Sequence, residues 1–341
     1  MSSTAARTAF ASSGAVARRV RGLATHLLGP LLVVAIFYAI PPHVPVTLLN
    51  LQTVALHMVI VGIAALGMTF VIVSGGIDLS IGSAIALASV TAALVLKHTT
   101  AAQIPPLNAL VLALLAAMAT GAACGLYNGL LITLLRLPPF IATLGTLGFY
   151  RGVAKWLSDS MPVSAPTHGL EQWVATIPPA PLRWMLFAPA VWLLAGLAIF
   201  AALVLRFSIF GRYALAIGSN EATARLCGIR VPRWKVAIYV AAGALTGLAG
   251  LMQFARLTQG DPTVAIGLEL DVIAAVVIGG GSLAGGQGSI AGTLAGAFMM
   301  AYLRNRCVAL GWSNYVQEMI VGHIIIIAVA LDQWRLRRSA A

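Results

Sequence analysis

Charge is scarce in this sequence. Of 341 residues only 9% are charged, and just nine are acidic. A soluble domain carries about a quarter of its residues as charges, so a free globular enzyme is excluded. Cysteine is scarcer still. Cys124, Cys227 and Cys307 are three in number and far apart, which rules out a disulfide framework. The six histidines (His26, His43, His57, His98, His168 and His323) are dispersed, and neither H-E-x-x-H nor a Cys/His cluster is present, so no metal site is expected. The chain has no G-x-x-x-x-G-K-[ST], and thus no phosphate-cradling loop with which to bind ATP. No serine has a paired base within motif reach, so no catalytic residue and no cofactor is expected.

Apolar length is what the chain has in abundance: 60% of it is hydrophobic. With about 20 apolar residues needed per crossing, ten spans emerge, near 23–41, 54–74, 80–96, 107–134, 139–157, 184–205, 234–254, 268–282, 289–303 and 315–331. The fold class is therefore an all-α polytopic membrane protein. Residues 1–22 form a basic N-terminal segment, 23–333 a single transmembrane domain and 334–341 a basic tail. The run at 23–40 could be a signal-peptide core, but Pro41-Pro42-His43 offers no small-residue cleavage pattern, so it reads as an uncleaved span.

The formal charge of +12 forms no nucleic-acid-binding stripe. Fourteen of the 21 Lys and Arg fall on one set of alternate loops, including Arg136, the segment from Arg206 to Lys235 and both termini. The positive-inside bias makes that set, with both termini, cytoplasmic.

Two glycine-rich breaks interrupt the apolar texture, SGGIDLS at 74–80 and GGGSLAGGQGS at 279–289. They suggest broken or re-entrant segments and could echo an internal duplication. Asp78, Glu269, Asp271 and Glu318 lie at or inside apparent spans, where a charge is costly. Asp78 either caps the following helix or lines an aqueous path. Glu269 and Asp271 either face that path or are solvated at an external end, and Glu318 reads as a bland position. Asn128 either bonds across helices or faces a pore. Gly75, Gly76, Asp78, Ser80, Asn128, Glu269 and Asp271 are the pore or gate candidates.

The polar stretch 211–233 reads as a short, fully marked helix. Asn220 is its N-cap, Glu221 suits the first turn, and Arg225 follows at i+4. Gly228 closes it and Pro232 prevents its resuming. A helix of about two turns does not stand alone in water, so it is suited to dock on a partner.

SGGIDLSIGS (74–83), NGLLITLLRLPPFIATLGTLGFYRG (128–152), AIGSNEATARLCGI (216–229) and LELDVIAAVVIGGGSLAGGQGSIAGTLAGA (268–297) together resemble the permease subunit of ribose-type monosaccharide ABC importers. The similarity runs in order from about 50 to 332, and GGIDLS and VIGGGSLAGG are its most specific pieces. It implies a permease homodimer (or a pair with a paralogous permease) in the bacterial inner membrane, ATP-binding subunits beneath it and a periplasmic sugar-binding protein above. It also makes 206–233 the coupling loop, with Asn220, Glu221, Ala222, Ala224, Arg225, Leu226 and Gly228 engaging the ATPase. Ala222-Thr223 follows the glutamate, where the family usually has a second acidic residue or an alanine, and this bears on the choice of ATPase partner. The same permease class for autoinducer-2 or a nucleoside, and an ion-coupled secondary carrier, are the alternatives.

Overall fold

The computed structural model describes residues 47–340. The basic segment 1–22 and the first expected span, 23–41, lie outside the described residues. Eleven α-helices follow in order. They are α1 (Leu48–Val73), α2 (Ile81–Ala101), α3 (Pro106–Leu134), α4 (Pro139–Leu157), α5 (Pro189–Phe207) and α6 (Ile209–Ser219). Then come α7 (Glu221–Leu226), α8 (Val231–Leu257), α9 (Leu268–Ile278), α10 (Ile290–Ala309) and α11 (Asn314–Ala340). Five of these (α1, α2, α3, α5 and α8) are long and apolar enough to cross a bilayer. α11 runs on through most of the expected basic tail at 334–341, to Ala340.

Local chemistry sets the helix starts. Proline stands in the first turn of α3, α4, α5 and α8, where its missing N–H costs nothing. Pro232 is one of these, so it opens α8 as well as ending the segment before it. Ser208 caps α6 through the amide of Gly211 at 3.1 Å, and Ser289 caps α10 through that of Gly292 at 3.0 Å.

The tightest packing is between α3 and α8. Ala109, Ala113, Ala117, Gly121, Gly125 and Gly129 recur every fourth residue on α3 and are buried, so one ridge of the helix carries almost no side chain. Gly243 and Gly247 of α8 face it. A Cβ on Gly121 would lie 2.5 Å from the Gly247 nitrogen, and one on Gly129 would lie 2.9 Å from the Val236 Cα. The opposite faces of α3 to α5 expose Leu115, Leu134, Ile199 and Phe200, each more than half accessible, a surface suited to lipid rather than water. α1 runs through the middle, buried at every residue from Val59 to Val73.

The loops gather at two ends. At one, Gly286 donates to the Val73 carbonyl at 2.8 Å, and Arg136 shares a cleft of about 460 Å³ with Glu221, Arg225 and Lys235. At the other, Asn50 bonds Asn305, Thr100 bonds His168, and a two-residue ladder pairs Val163–Ser164 with Gln259–Gly260. The 3₁₀ turn Leu170–Val174 also lies at this second end.

Candidate functional site

The two glycine-rich breaks close their helices identically in hydrogen bonding. Gly75 and Gly76 donate to Ile72 and Val71, and Gly280 and Gly281 donate to Val277 and Val276, all at 2.9 Å. Gly75 (φ +77°) and Gly280 (φ +90°) sit in the left-handed region that glycine enters without strain. This closure ends α9 at Ile278, short of the expected 282.

The breaks also touch each other and the polar loop. A Cβ on Gly285 would lie 3.0 Å from the Cα of both Gly75 and Gly218, and one on Gly218 would lie 2.6 Å from the Gly286 nitrogen. Gly218 belongs to the last turn of α6, directly before the short helix α7. Three separate stretches of backbone therefore meet with no side chain between them.

α7 is six residues long, roughly 9 Å at 1.5 Å per residue. Asn220 Oδ1 accepts from the Thr223 amide at 2.9 Å, as its cap position requires. Glu221 binds Arg225 at 2.6 Å and also Lys235 of α8 at 2.6 Å. Partial burial pulls the Glu221 carboxyl upward, but the Lys235 and Arg225 hydrogen bonds outweigh it and hold it below the usual carboxylate range. Ala224 is the inward anchor, buried with Ile217 and Val231 against Trp234. Ala222, Arg225 and Gly228 are exposed, and Leu226 is 89% exposed. The helix is thus fixed from behind and presents an apolar side chain outward.

Asp78 sits above this junction in a buried polar network. Its Oδ1 accepts from the Ser80 amide at 2.8 Å and the Ser80 hydroxyl at 2.6 Å. Those bonds shape the turn before α2, and they are not the bonds of a helix cap, which would reach the second or third helical amide. Asn128, fully buried, donates through Nδ2 to Ser80 Oγ at 2.9 Å and to the two Asp78 oxygens at 3.3 and 3.4 Å. Its Oδ1 accepts from Thr146 at 2.7 Å and Tyr150 at 3.0 Å. Tyr239 of α8 donates to the Ile77 carbonyl at 3.2 Å. A backbone unwound at membrane depth needs such partners.

The donor count makes Asp78 testable. The Asp78 carboxylate can only accept, so the Asn128 amide nitrogen must face residue 78. Asparagine at 78 would set two NH₂ groups against each other. Asp78→Asn should lower stability by about 1–3 kcal/mol and reduce transport at matched membrane content. Unchanged thermal unfolding together with unchanged transport would contradict the acceptor role.

A second unwound stretch, 258–267, leads into α9. Arg151, twelve residues into α4 and so roughly 18 Å along it, donates to the carbonyls of Pro262 at 2.8 Å and Val264 at 2.7 Å. The Ala265 carbonyl and the Glu269 carboxylate lie where a Cβ of Gly82 would fall. Glu269 is half-buried and accepts from the Gly267 amide at 3.2 Å. Asp271 is only 2% exposed and pairs with Arg304 at 2.6 Å, so it is not a solvated interfacial acid. Glu318 is exposed. The seven pore or gate candidates thus fall into separate places. Asp78, Ser80 and Asn128 are bonded together, Gly75 and Gly76 lie at the junction, Glu269 lies against Gly82 in the first turn of α2, and Asp271 pairs with Arg304 of α10. Sequence reading missed Tyr150, Arg151, Tyr239, Lys235 and Arg304. A lone arginine in the apolar run 139–157 was the one visible signal among them.

Comparison with known proteins places this arrangement. The family model described as branched-chain amino acid transport system / permease component matches residues 50–329. The ribose import permease protein RbsC of Escherichia coli (strain K12) is 38% identical over 310 residues, covering 90% of this chain and 92% of that protein. Its namesake in Bacillus subtilis (strain 168) is 38% identical over 291 residues, 84% of this chain and 85% of the relative. The L-arabinose transport system permease protein AraH of E. coli K12 is 36% identical over 315 residues, 90% of each. No solved structure matches. With the family model spanning most of the chain and the breaks, the α7 loop and the Asp78 network all inside the matched region, the protein belongs to this family of transport-system permeases.

Proposed function

We propose that the chain is the membrane-spanning subunit of an ABC importer that moves a monosaccharide of the ribose or arabinose class. Ten spans, the first at 23–41, cross the bacterial inner membrane with both termini in the cytoplasm. The end that carries α7 is cytoplasmic. A second copy of the permease completes the pathway, a periplasmic binding protein delivers the sugar, and separate ATPase subunits supply the energy.

The observation that carries this reading is α7. It is a capped helix, anchored by Ala224 and the Glu221 ion pairs, that holds Leu226 89% exposed beside the point where both glycine-rich breaks meet. Such a helix seats in a groove of the ATPase, by the helix-in-groove mode. Motion of the ATPase then reaches α6, whose Gly218 abuts both breaks without an intervening side chain, and so reaches the Asp78 turn. Alternating access follows as rocking of the bundle about these unwound segments. The sugar need be held only weakly by the permease, because the binding protein provides the affinity.

A native thiol tests the sidedness. Cys227 is exposed whereas Cys124 and Cys307 are buried. An impermeant maleimide should label Cys227 in inverted vesicles and leave it unlabelled in right-side-out vesicles, and assembled ATPase should protect it. Labelling from the periplasmic side would invert the model.

A further inference from the structure

The end of the bundle opposite α7 holds a cavity of about 310 Å³ that the coupling mechanism does not use. It lies between α1, α8, α9, α10 and α11, and its polar lining comprises His57, Gln253, Arg256, Asp271, Arg304 and Gln317. Two features separate it from an ordinary packing gap. Gln253 is 7% exposed, and among the described residues its amide has no hydrogen-bond partner. Asp271 is 2% exposed, and although Oδ2 meets Arg304 at 2.6 Å, Oδ1 has no partner among the described residues. Buried polar groups left unpaired cost free energy, so both are arranged for something that arrives.

The chemistry narrows what that is. An anion would meet the Asp271 carboxylate, which already neutralises Arg304 and leaves Arg256 as the one unpaired full positive charge in the lining among the described residues. A purely apolar ligand would leave the Gln253 amide and Asp271 Oδ1 unsatisfied. A neutral polyol satisfies both, because each hydroxyl can donate to Asp271 Oδ1 or to the Gln253 carbonyl while accepting from the Gln253 amide or a guanidinium. A volume of about 310 Å³ is ample for one sugar ring.

We infer that this cavity is a transient monosaccharide subsite on the periplasmic side, with Gln253 and Asp271 binding sugar hydroxyls and Arg304 holding Asp271 in place. The inference rests on the reading of the chain as a sugar permease. It places a stopping point inside each protomer for sugar released by the binding protein.

Gln253→Met removes the amide at nearly constant volume and breaks no bond within the protein, so it should not lower the unfolding temperature. In proteoliposomes holding the permease, its ATPase, trapped ATP and external loaded binding protein, initial uptake of D-ribose or L-arabinose should fall about tenfold, the worth of a lost hydrogen bond near the top of its usual range. ATPase activity stimulated by the binding protein should persist. Saturation-transfer NMR with free D-ribose or L-arabinose should give a ring-proton signal on the wild-type assembly that the variant loses. Unchanged uptake and an unchanged NMR signal in a folded variant would overturn the subsite and leave the sugar-permease reading standing. Displacement of the sugar signal by inorganic phosphate would also overturn it, in favour of an anion site. Absence of uptake of either sugar by the wild-type assembly would instead strike the sugar-permease reading itself.

Discussion

Replacing Gly125 by leucine should leave almost no folded permease in the membrane. A Cβ there would strike the Tyr239 carbonyl oxygen, lie 2.7 Å from the carbonyl carbon and stand 3.1 Å from the Val240 Cα. These are backbone atoms within α8, which no rotamer change can move aside. α3 and α8 would have to separate, and the separation would be felt along the whole small-residue ridge from Ala109 to Gly129. Overpacking a tight core costs about 1–3 kcal/mol when side chains can yield, and more when they cannot. Here the Asn128 network would open as well, one residue from Gly129 and three from Gly125. The total approaches the 5–15 kcal/mol by which a whole domain is usually stable. Gly148→Leu is the matched control, because nothing lies within 4 Å of a Cβ at that position on α4. Size-exclusion chromatography of a fluorescent fusion should show the Gly148 variant as a sharp peak and the Gly125 variant as aggregate. A sharp, wild-type-like peak for both would contradict the packing account.

What the sequence disclosed was local. The α7 cap, its closure at Gly228 and the Glu221–Arg225 pair depend on residues within four positions of one another, and all are where sequence reading put them. The expected spans beginning near 139 and 289 also start within a residue of α4 and α10. The breaks announced themselves through glycine, although not their meeting, since Gly75, Gly218 and Gly285 are joined only by the packing of three distant segments. Lys235 reaches Glu221 from fourteen residues away, and Arg304 reaches Asp271 from another helix. No periodicity encodes such pairs. Asp78 is the instructive case. Its position before Leu79-Ser80-Ile81 reads equally well as a helix cap, and only Asn128, fifty residues on, makes it part of a buried network. The unwound segment 258–267 fell between the expected spans 234–254 and 268–282, but its anchor did not show, because Arg151, which holds its carbonyls, looks in sequence like one stray charge among seven.

The largest functional effect is expected at the tip of α7. Leu226 is 89% exposed and contributes nothing to the permease core, while its neighbour Ala224 is the anchor. A leucine that fills a partner's groove is worth about 2–4 kcal/mol when removed from a well-packed centre, which is roughly thirtyfold to a thousandfold in affinity. Putting a carboxylate in that groove adds the cost of desolvating a charge. Leu226→Asp should therefore assemble normally in the membrane and keep its thermal stability, because the side chain touches solvent in the isolated permease. The decisive measurement is made on this variant with its ATPase subunits and binding protein, comparing ATPase co-purification with ATP-driven sugar uptake. The account predicts a folded permease that loses ATPase by at least thirtyfold in affinity and transports no sugar above background. A variant that retains the ATPase and transports at the wild-type rate would contradict the assignment of α7 as the point where the motor drives the bundle.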